Sequence, residues 1–528
     1  MKRRYFLFVA FILVGSVTTV EASAETITGT NCSKVGTTQN VSNTKYFCVK
    51  SGGKLIWSKG VKFVTPIKYA PGKGCRRVGL QVLDGEGLLE CRYVKSKQLI
   101  WVSVSKTPRP FTNPASAQNV QMCKLKGEID GNHITGFGVD ISIRGKYGNF
   151  EKRPVPAIGV NESIIIPVDF SDFPGDSNLK EILSEQKVAM QDWVKYFSFG
   201  KLQFNVATYD SWIRMPQKAE YYNQTDYNLS AASGGQDRIT QIAQIYIDVI
   251  TKYVDLTKYK TVYILYPSQQ NVITTDLVPR MVRFKVKEGM TTLSVFARST
   301  YDHGMKTPFW AFYLHETGHD WGLYGHAPGN GWPLGLMVNQ SAYSLALFAW
   351  ESFVLTWLPD DLVYCDSKAT LKTAEIKLSA LERDDSQTKM IGIKLDESRL
   401  LVVETHGVGK WTSRRSTQNY NFDSLGFYGV IAYIVDTKFT IDRPFVKPDG
   451  SVLNEDDGVT RAIPRYTYMY PIDALSASHE YGLVNRNPAF EDYGRYTAVQ
   501  GDTFTIEGIR ISVVSTGDYE TVRIEKAS

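Results

Sequence analysis

His315-Glu316-Thr317-Gly318-His319, set within FWAFYLHETGHDWGLYGHAPG, constrains this chain more than any other stretch. On a helix, residues four apart lie one above the other on the same face. Two imidazoles at that spacing can share one metal ion, and the spacing suits zinc. Glu316, beside the first imidazole, can then reach a water activated by that ion. The surroundings predict the helix. Thr307-Pro308 reads as an N-cap followed by a first-turn proline, and Gly322 as the left-handed residue that closes the helix. Phe309, Trp310, Phe312, Tyr313 and Leu314 are apolar nearly all round, which predicts a buried helix. A buried glutamate needs a partner, and a zinc-activated water would be one. The same short motif also arises by chance on surface helices; the apolar context, Gly322 and His326 favour the metal. Of the seven histidines, three (His315, His319, His326) fall in this short stretch.

The rest of the chain points to a secreted protein. Lys2-Arg3-Arg4, the apolar run Tyr5 to Val17 and Ala22-Ser23-Ala24 read as a signal peptide over residues 1–24, with the mature chain starting at Glu25. No later segment is long and apolar enough to span a bilayer, so no transmembrane segment is expected after cleavage. A net charge of +6 over 528 residues, with no basic block, argues against nucleic acid as a partner. The six cysteines suit an oxidising compartment, and none stands as CxxC.

Cysteine spacing exposes an internal repeat. Cys32-Ser-Lys-Val-Gly36, then Cys48, then Lys54-Leu-Ile-Trp57 is echoed by Cys75-Arg-Arg-Val-Gly79, Cys91 and Gln98-Leu-Ile-Trp101. Units this short cannot bury a core of their own. Disulfides Cys32–Cys48 and Cys75–Cys91 would compensate, and Cys123–Cys365, assigned partly by elimination, would tie together the ends of the following region. The units are similar to short C…G…C…KLIW repeats of bacterial secreted proteins. They read either as a module attaching to a cell-surface ligand or as a spacer or prosegment. A Pro/Thr/Ser/Asn-rich linker, Thr107 to Gln118, follows.

From Cys123 the pattern is mixed α/β. Buried strands are expected at 163–170, 261–266 and 293–298. Amphipathic helices are expected at 179–197 and 239–250, and another helix at 345–358. After Asp366, strands at 390–395, 400–406, 427–435, 503–506, 509–514 and 521–525 predict an all-β, sandwich-like domain. The expected division is therefore 1–24 signal peptide, 25–117 repeats and linker, 118–365 metallopeptidase domain and 366–528 β domain, an α+β architecture overall.

The succession IIIPVDFSD (164–172), WVKYFSFGKLQF (193–204), HETGHDWGL (315–323), GLM (335–337) and FAWESFVLTWLPD (348–360) resembles the immune inhibitor A family of secreted bacterial zinc metallopeptidases over roughly residues 120–370. The resemblance implies a zincin fold, one catalytic zinc, and proteins or peptides as substrates. It also implies an endopeptidase in which Glu316 is general base and His315 and His319 are ligands. The extended motif would place its third ligand at Gly325, where relatives often carry aspartate; here a histidine stands one residue later. His326 is therefore the first candidate for the third ligand, with Glu351 and Asp320 as competitors. Tyr343 is a candidate oxyanion donor, though an ordinary packed tyrosine is the commoner role. Met337 is a candidate Met-turn beneath the metal or plain core. Leu293–Arg298 could pair with an extended substrate by strand addition. Asp169, Asp172 and Asp176 could bind Ca2+ or form a solvated acidic turn. The rival reading is a catalytically inactive surface or adhesion protein on the same scaffold; the intact His315, Glu316 and His319 argue against it.

Overall fold

The computed structural model describes residues 27, 29–33, 38–41, 44–51, 54–57, 61–62, 70–75, 81–84, 87–94, 98–104, 112–125, 155–223, 238–299, 309–323, 334–338, 340, 344–407, 411, 429–436, 469–471, 497–516 and 519–527. The expected signal peptide, His326, Tyr343 and the Thr307-Pro308 cap lie outside them. Among the described residues no helix is long and apolar enough to cross a membrane. The chain is mixed α/β and forms two compact units, one of Met1–Ile67 with Ser416–Asn421, the other of Lys68–Arg415 with Phe422–Ser528.

The first unit holds β1 (Thr38–Val41), β2 (Thr44–Ser51), β3 (Lys54–Trp57) and β4 (Val61–Lys62) in one sheet, with the Cys32–Cys48 disulfide. The second unit opens with the other repeat, β5 (Gln81–Asp84), β6 (Gly87–Tyr93) and β7 (Leu99–Val104), closed by Cys75–Cys91. The two repeats share their hydrogen bonds. Gly29 N and Gly72 N donate to Trp57 O and Trp101 O, and Cys32 N and Cys75 N to Leu55 O and Leu99 O. In both, the second cysteine faces the tryptophan across the ladder. The repeat read from spacing is a structural repeat, and both disulfides are local to it.

The central sheet explains the apolar run at 164–166. β8 (Gly159–Asp169) lies between β9 (Leu202–Thr208) with β10 (Ile213–Arg214) on one side and β11 (Thr261–Leu265) on the other, all parallel. β12 (Val282–Val286) and β13 (Gly289–Ala297) complete it, β13 parallel to β11 and β12 antiparallel at the edge. Helix α1 (Leu179–Phe197) and helix α3 (Phe309–Trp321) cover one face, meeting Ile165, Tyr263 and Phe296; α2 (Arg238–Ile250) covers the other with Ile164, Ile166 and Val262. A strand buried on both faces has no polar alternation to show.

One expectation fails here. β13 cannot receive a substrate strand, because both its edges are taken. Beyond β12, Leu277 N and Ala297 N exchange bonds with each other's carbonyls at 2.8 and 2.9 Å, and Val295 N donates to Pro279 O. A peptide adding to this sheet would meet the segment 277–282 instead.

The C-terminal part is a two-sheet sandwich. β14 (Val363–Ser367), β16 (Met390–Lys394), β17 (Arg399–His406), β18 (Gly429–Asp436) and β19 (Met469–Pro471) form one sheet. β15 (Ala374–Leu378), β22 (Glu520–Lys526), β21 (Ile509–Ser515) and β20 (Thr503–Ile506) form the other. Leu401, Val403, Ala432 and Ile434 pack against Ile376, Ile511 and Val522 of the facing sheet, whereas Leu400, Val402, Ile431 and Tyr433 share a core with α1 and α3. Alternate side chains of a strand point to opposite faces, so the first sheet belongs to two cores at once. The boundary expected at Cys365 falls inside β14, and Cys123–Cys365 staples that strand to the start of the α/β region. The expected linker is anchored too: Asn113 exchanges bonds with the Lys377 backbone, and Gln118 N donates to Cys365 O.

The helix expected at 345–358 is shorter, α4 (Ala349–Val354). Residues 345–348 are drawn out by tertiary hydrogen bonds: Leu336 N donates to Ala346 O, Leu345 N to Trp411 O and Trp193 Nε1 to Leu345 O.

Candidate metal centre

Helix α3 sits where its sequence requires. Residues 311–321 are all buried, as the apolar flanks predicted. The Tyr313 hydroxyl donates to Ile264 O (2.9 Å), and the Thr317 and Tyr263 hydroxyls are 2.7 Å apart, so two polar contacts pin the helix to β11. Gln186 of α1, itself buried, accepts from Trp310 N at 2.7 Å and satisfies one of the open donors of the first turn. At the other end Gly322, with φ +110, ends the helix as expected; Leu323 N returns to Gly318 O and Gly322 N to His319 O.

The two histidines converge. Their Nε2 atoms are 3.3 Å apart and their rings stand at 88°. Each Nδ1 faces a carbonyl oxygen, His315 towards Leu336 at 2.8 Å and His319 towards Leu323 at 2.7 Å. A carbonyl only accepts, so each Nδ1 carries the hydrogen. In neutral rings both Nε2 atoms then carry a lone pair, and at 3.3 Å apart they have the spacing of two ligands on one cation. Burial, with help from the charge of Arg280, pushes His315 down to about 4 against the bond to Leu336, which keeps its ring neutral near pH 7. Backbone partners behind metal-binding imidazoles usually fix their tautomer and orientation in this way. The donor set therefore fits zinc.

Met337 is fully buried and lies on the helix between the two histidines. A Cβ built on Gly318 would meet its Sδ at 2.4 Å, which is why residue 318 has no side chain. Met337 is thus part of the core and packs directly against the motif helix at Gly318.

Glu316, 8% exposed, has a partner the sequence did not disclose. Arg280, from the segment bordering β13, pairs with its Oε2, and the Arg280 Nε lies 3.9 Å from Asp320 Oδ1. The expectation that a buried glutamate implies a bound water is thereby weakened, since a guanidinium already compensates it. Nothing local marks Arg280: it is 36 residues from Glu316 in sequence.

Neither competitor for the third ligand completes a trio with the histidines: among the described residues no group of three His, Cys, Asp or Glu side chains is placed to hold a metal. Glu351 instead accepts from Phe348 N (2.9 Å) at the start of α4. His326 and Tyr343 lie outside the described residues. The acidic turn is likewise engaged with protein donors. Asp169 takes Arg214 in a two-pronged bond and Gly175 N, Asp172 takes Ala219 N, and Asp176 takes the Ser268 amide and hydroxyl.

No family model matches this chain, and no curated protein matches it significantly.

Proposed function

We propose that this chain is a secreted zinc-dependent endopeptidase with a zincin-type centre, of the kind represented by the immune inhibitor A family. The convergence of the His315 and His319 Nε2 atoms, each backed by a carbonyl, carries the reading. His315, His319 and, as third ligand, His326 would hold the ion. Bound zinc would supply Lewis acidity, lowering the pKa of a water toward neutrality and offsetting charge on the scissile carbonyl oxygen. Glu316 accepts the proton of the attacking water and delivers it to the leaving amine. Arg280 orients Glu316 through their ion pair, and stands where an extended peptide would run along 277–282. The substrate is a protein or peptide, and the N-terminal repeats would take a cell-surface ligand.

The Arg280–Glu316 pair also favours a second reading, an inactive binding protein whose base is locked by a guanidinium. Casein hydrolysis separates the two. The zinc-loaded protein should cleave casein and lose activity to a chelator. Glu316→Ala should keep its zinc and lower turnover by about 10²–10⁴-fold, as for a positioned general base. Wild-type turnover in zinc-loaded Glu316→Ala, or no turnover in the parent, would sink the peptidase.

A further inference from the structure

Another histidine, His406 at the end of β17, is enclosed by two carboxylates, with no exposed side-chain surface on any of the three. Its Nδ1 lies 2.8 Å from Glu382 Oε1 and its Nε2 2.8 Å from Glu404 Oε1. Ionised carboxylates only accept, so both ring nitrogens donate and the ring is an imidazolium. The cluster carries two negative charges and one positive, all buried, and each carboxylate reaches onward to one segment of chain. Glu382 accepts from the Ser344 hydroxyl and from Gly407 N (3.0 Å); Glu404 accepts from Ala349 N (2.8 Å) and the Tyr433 hydroxyl (2.6 Å).

That segment, 344–349, is the one on which the turn beneath the motif is built. Gly335 N donates to Ser344 O at 3.0 Å and Leu336 N to Ala346 O at 2.9 Å. Leu336 O in turn accepts from His315 Nδ1. A second, apolar route runs alongside: the His406 ring meets the Phe348 ring edge to face at 5.7 Å, and Phe348 lies so close over Gly335 that a Cβ there would come within 2.7 Å of it.

We propose that Glu382, His406 and Glu404 are positioning residues: a buried charged clamp on the C-terminal sheet that, through Ser344 and the 334–338 turn, sets the carbonyl that orients His315. The inference rests on the metallopeptidase reading. It makes the β sandwich part of the metal centre. A charged cluster suits the task, because each carboxylate is held by several donors at once and the loss of any leaves a buried charge short of a partner.

The test is zinc affinity, measured on the full chain by competition with a chelator. Ser344→Ala removes one hydroxyl and leaves the three charges in place. It should bind zinc about 10–100-fold more weakly than the parent, the usual effect of a residue behind a ligand. His406→Gln should weaken zinc at least as much. The double variant should be no weaker than the weaker single variant, because both act along one path. Val522→Ala, in the core of the far sheet, is the control: its melting temperature should fall while its zinc affinity stays at the parent's. Zinc binding by Ser344→Ala equal to the parent's would overturn the clamp and leave the metal site standing. So would a loss in Val522→Ala that matches its fall in melting temperature as it does in Ser344→Ala. A parent that binds no zinc would remove both readings together.

Discussion

Two glycines bear directly on how the motif is supported, and they differ in what faces them. Gly335 has φ +94, and a Cβ added there would meet the edge of the rigid Phe348 ring at 2.7 Å. Gly318 has an ordinary helical backbone, and a Cβ added there would meet the flexible end of Met337 at 2.4 Å. An alanine at 335 therefore adds backbone strain to overpacking. Gly335→Ala should lower stability by at least about 2 kcal/mol. Gly318→Ala, opposed by an unbranched thioether that can turn, should cost only about 1 kcal/mol. Urea unfolding of both variants checks the ranking; equal losses would mean that Met337 cannot move or that the 335 turn can.

Among the elements, β17 and α4 each carry a buried group whose ionisation stands far from ordinary and within reach of an ordinary pH range. Burial alone would push His406 down, but the charge of Glu382 and the hydrogen bonds the ring donates to both carboxylates override it and hold the ring up at about 10. Its folded value lies above its unfolded value of 6.5, so its stabilising contribution is complete below 6.5 and is lost as pH rises through about 10. Glu351 is pushed up to about 8, first by burial and then by Glu404, against the bond from Phe348 N. A carboxyl raised in the folded state binds more protons than the unfolded chain between 4.5 and about 8, so stability falls across that window also. The melting temperature should decline from pH 5 to pH 10. Glu351→Gln should flatten the decline below about 8, and His406→Gln should flatten it between 6.5 and about 10. Thermal melts across that range decide it; unchanged slopes in both variants would mean other groups govern the titration.

At the scale of the whole molecule, the five-stranded sheet from β14 to β19 is shared property. One of its faces completes the sandwich and the other completes the core of the α/β region. A chain truncated after Asp366 would expose that second core to water. It should be recovered without fixed tertiary structure, by near-ultraviolet dichroism, and without zinc binding; a folded, zinc-binding truncation would show the sheet to be dispensable. The Cys123–Cys365 staple closes 242 residues. Loop-closure entropy over that length makes Cys123→Ala with Cys365→Ala less stable by about 5 kcal/mol, which denaturant unfolding under matched conditions would read.

Much of this was legible along the chain because the physics behind it is local. The i, i+4 spacing of His315 and His319 follows from helix periodicity, and their side chains meet as that periodicity requires. The repeat was visible because both units need a disulfide at the same offset, and the six cysteines pair as that spacing and elimination suggested. The two long amphipathic helices and the strands of the sandwich follow from periods of 3.6 and 2. Other features depend on residues far apart in sequence that meet only in the folded chain. Arg280 at Glu316, the carbonyls behind the imidazoles, and the extension of 345–348 in place of helix are of this kind. So are the two cores that share one sheet and the enclosure of His406 by Glu382 and Glu404. Local pattern fixes which face of an element seeks burial, but the partner it finds is chosen by the packing of the whole, because buried polar groups can be satisfied only by whatever tertiary structure brings within reach.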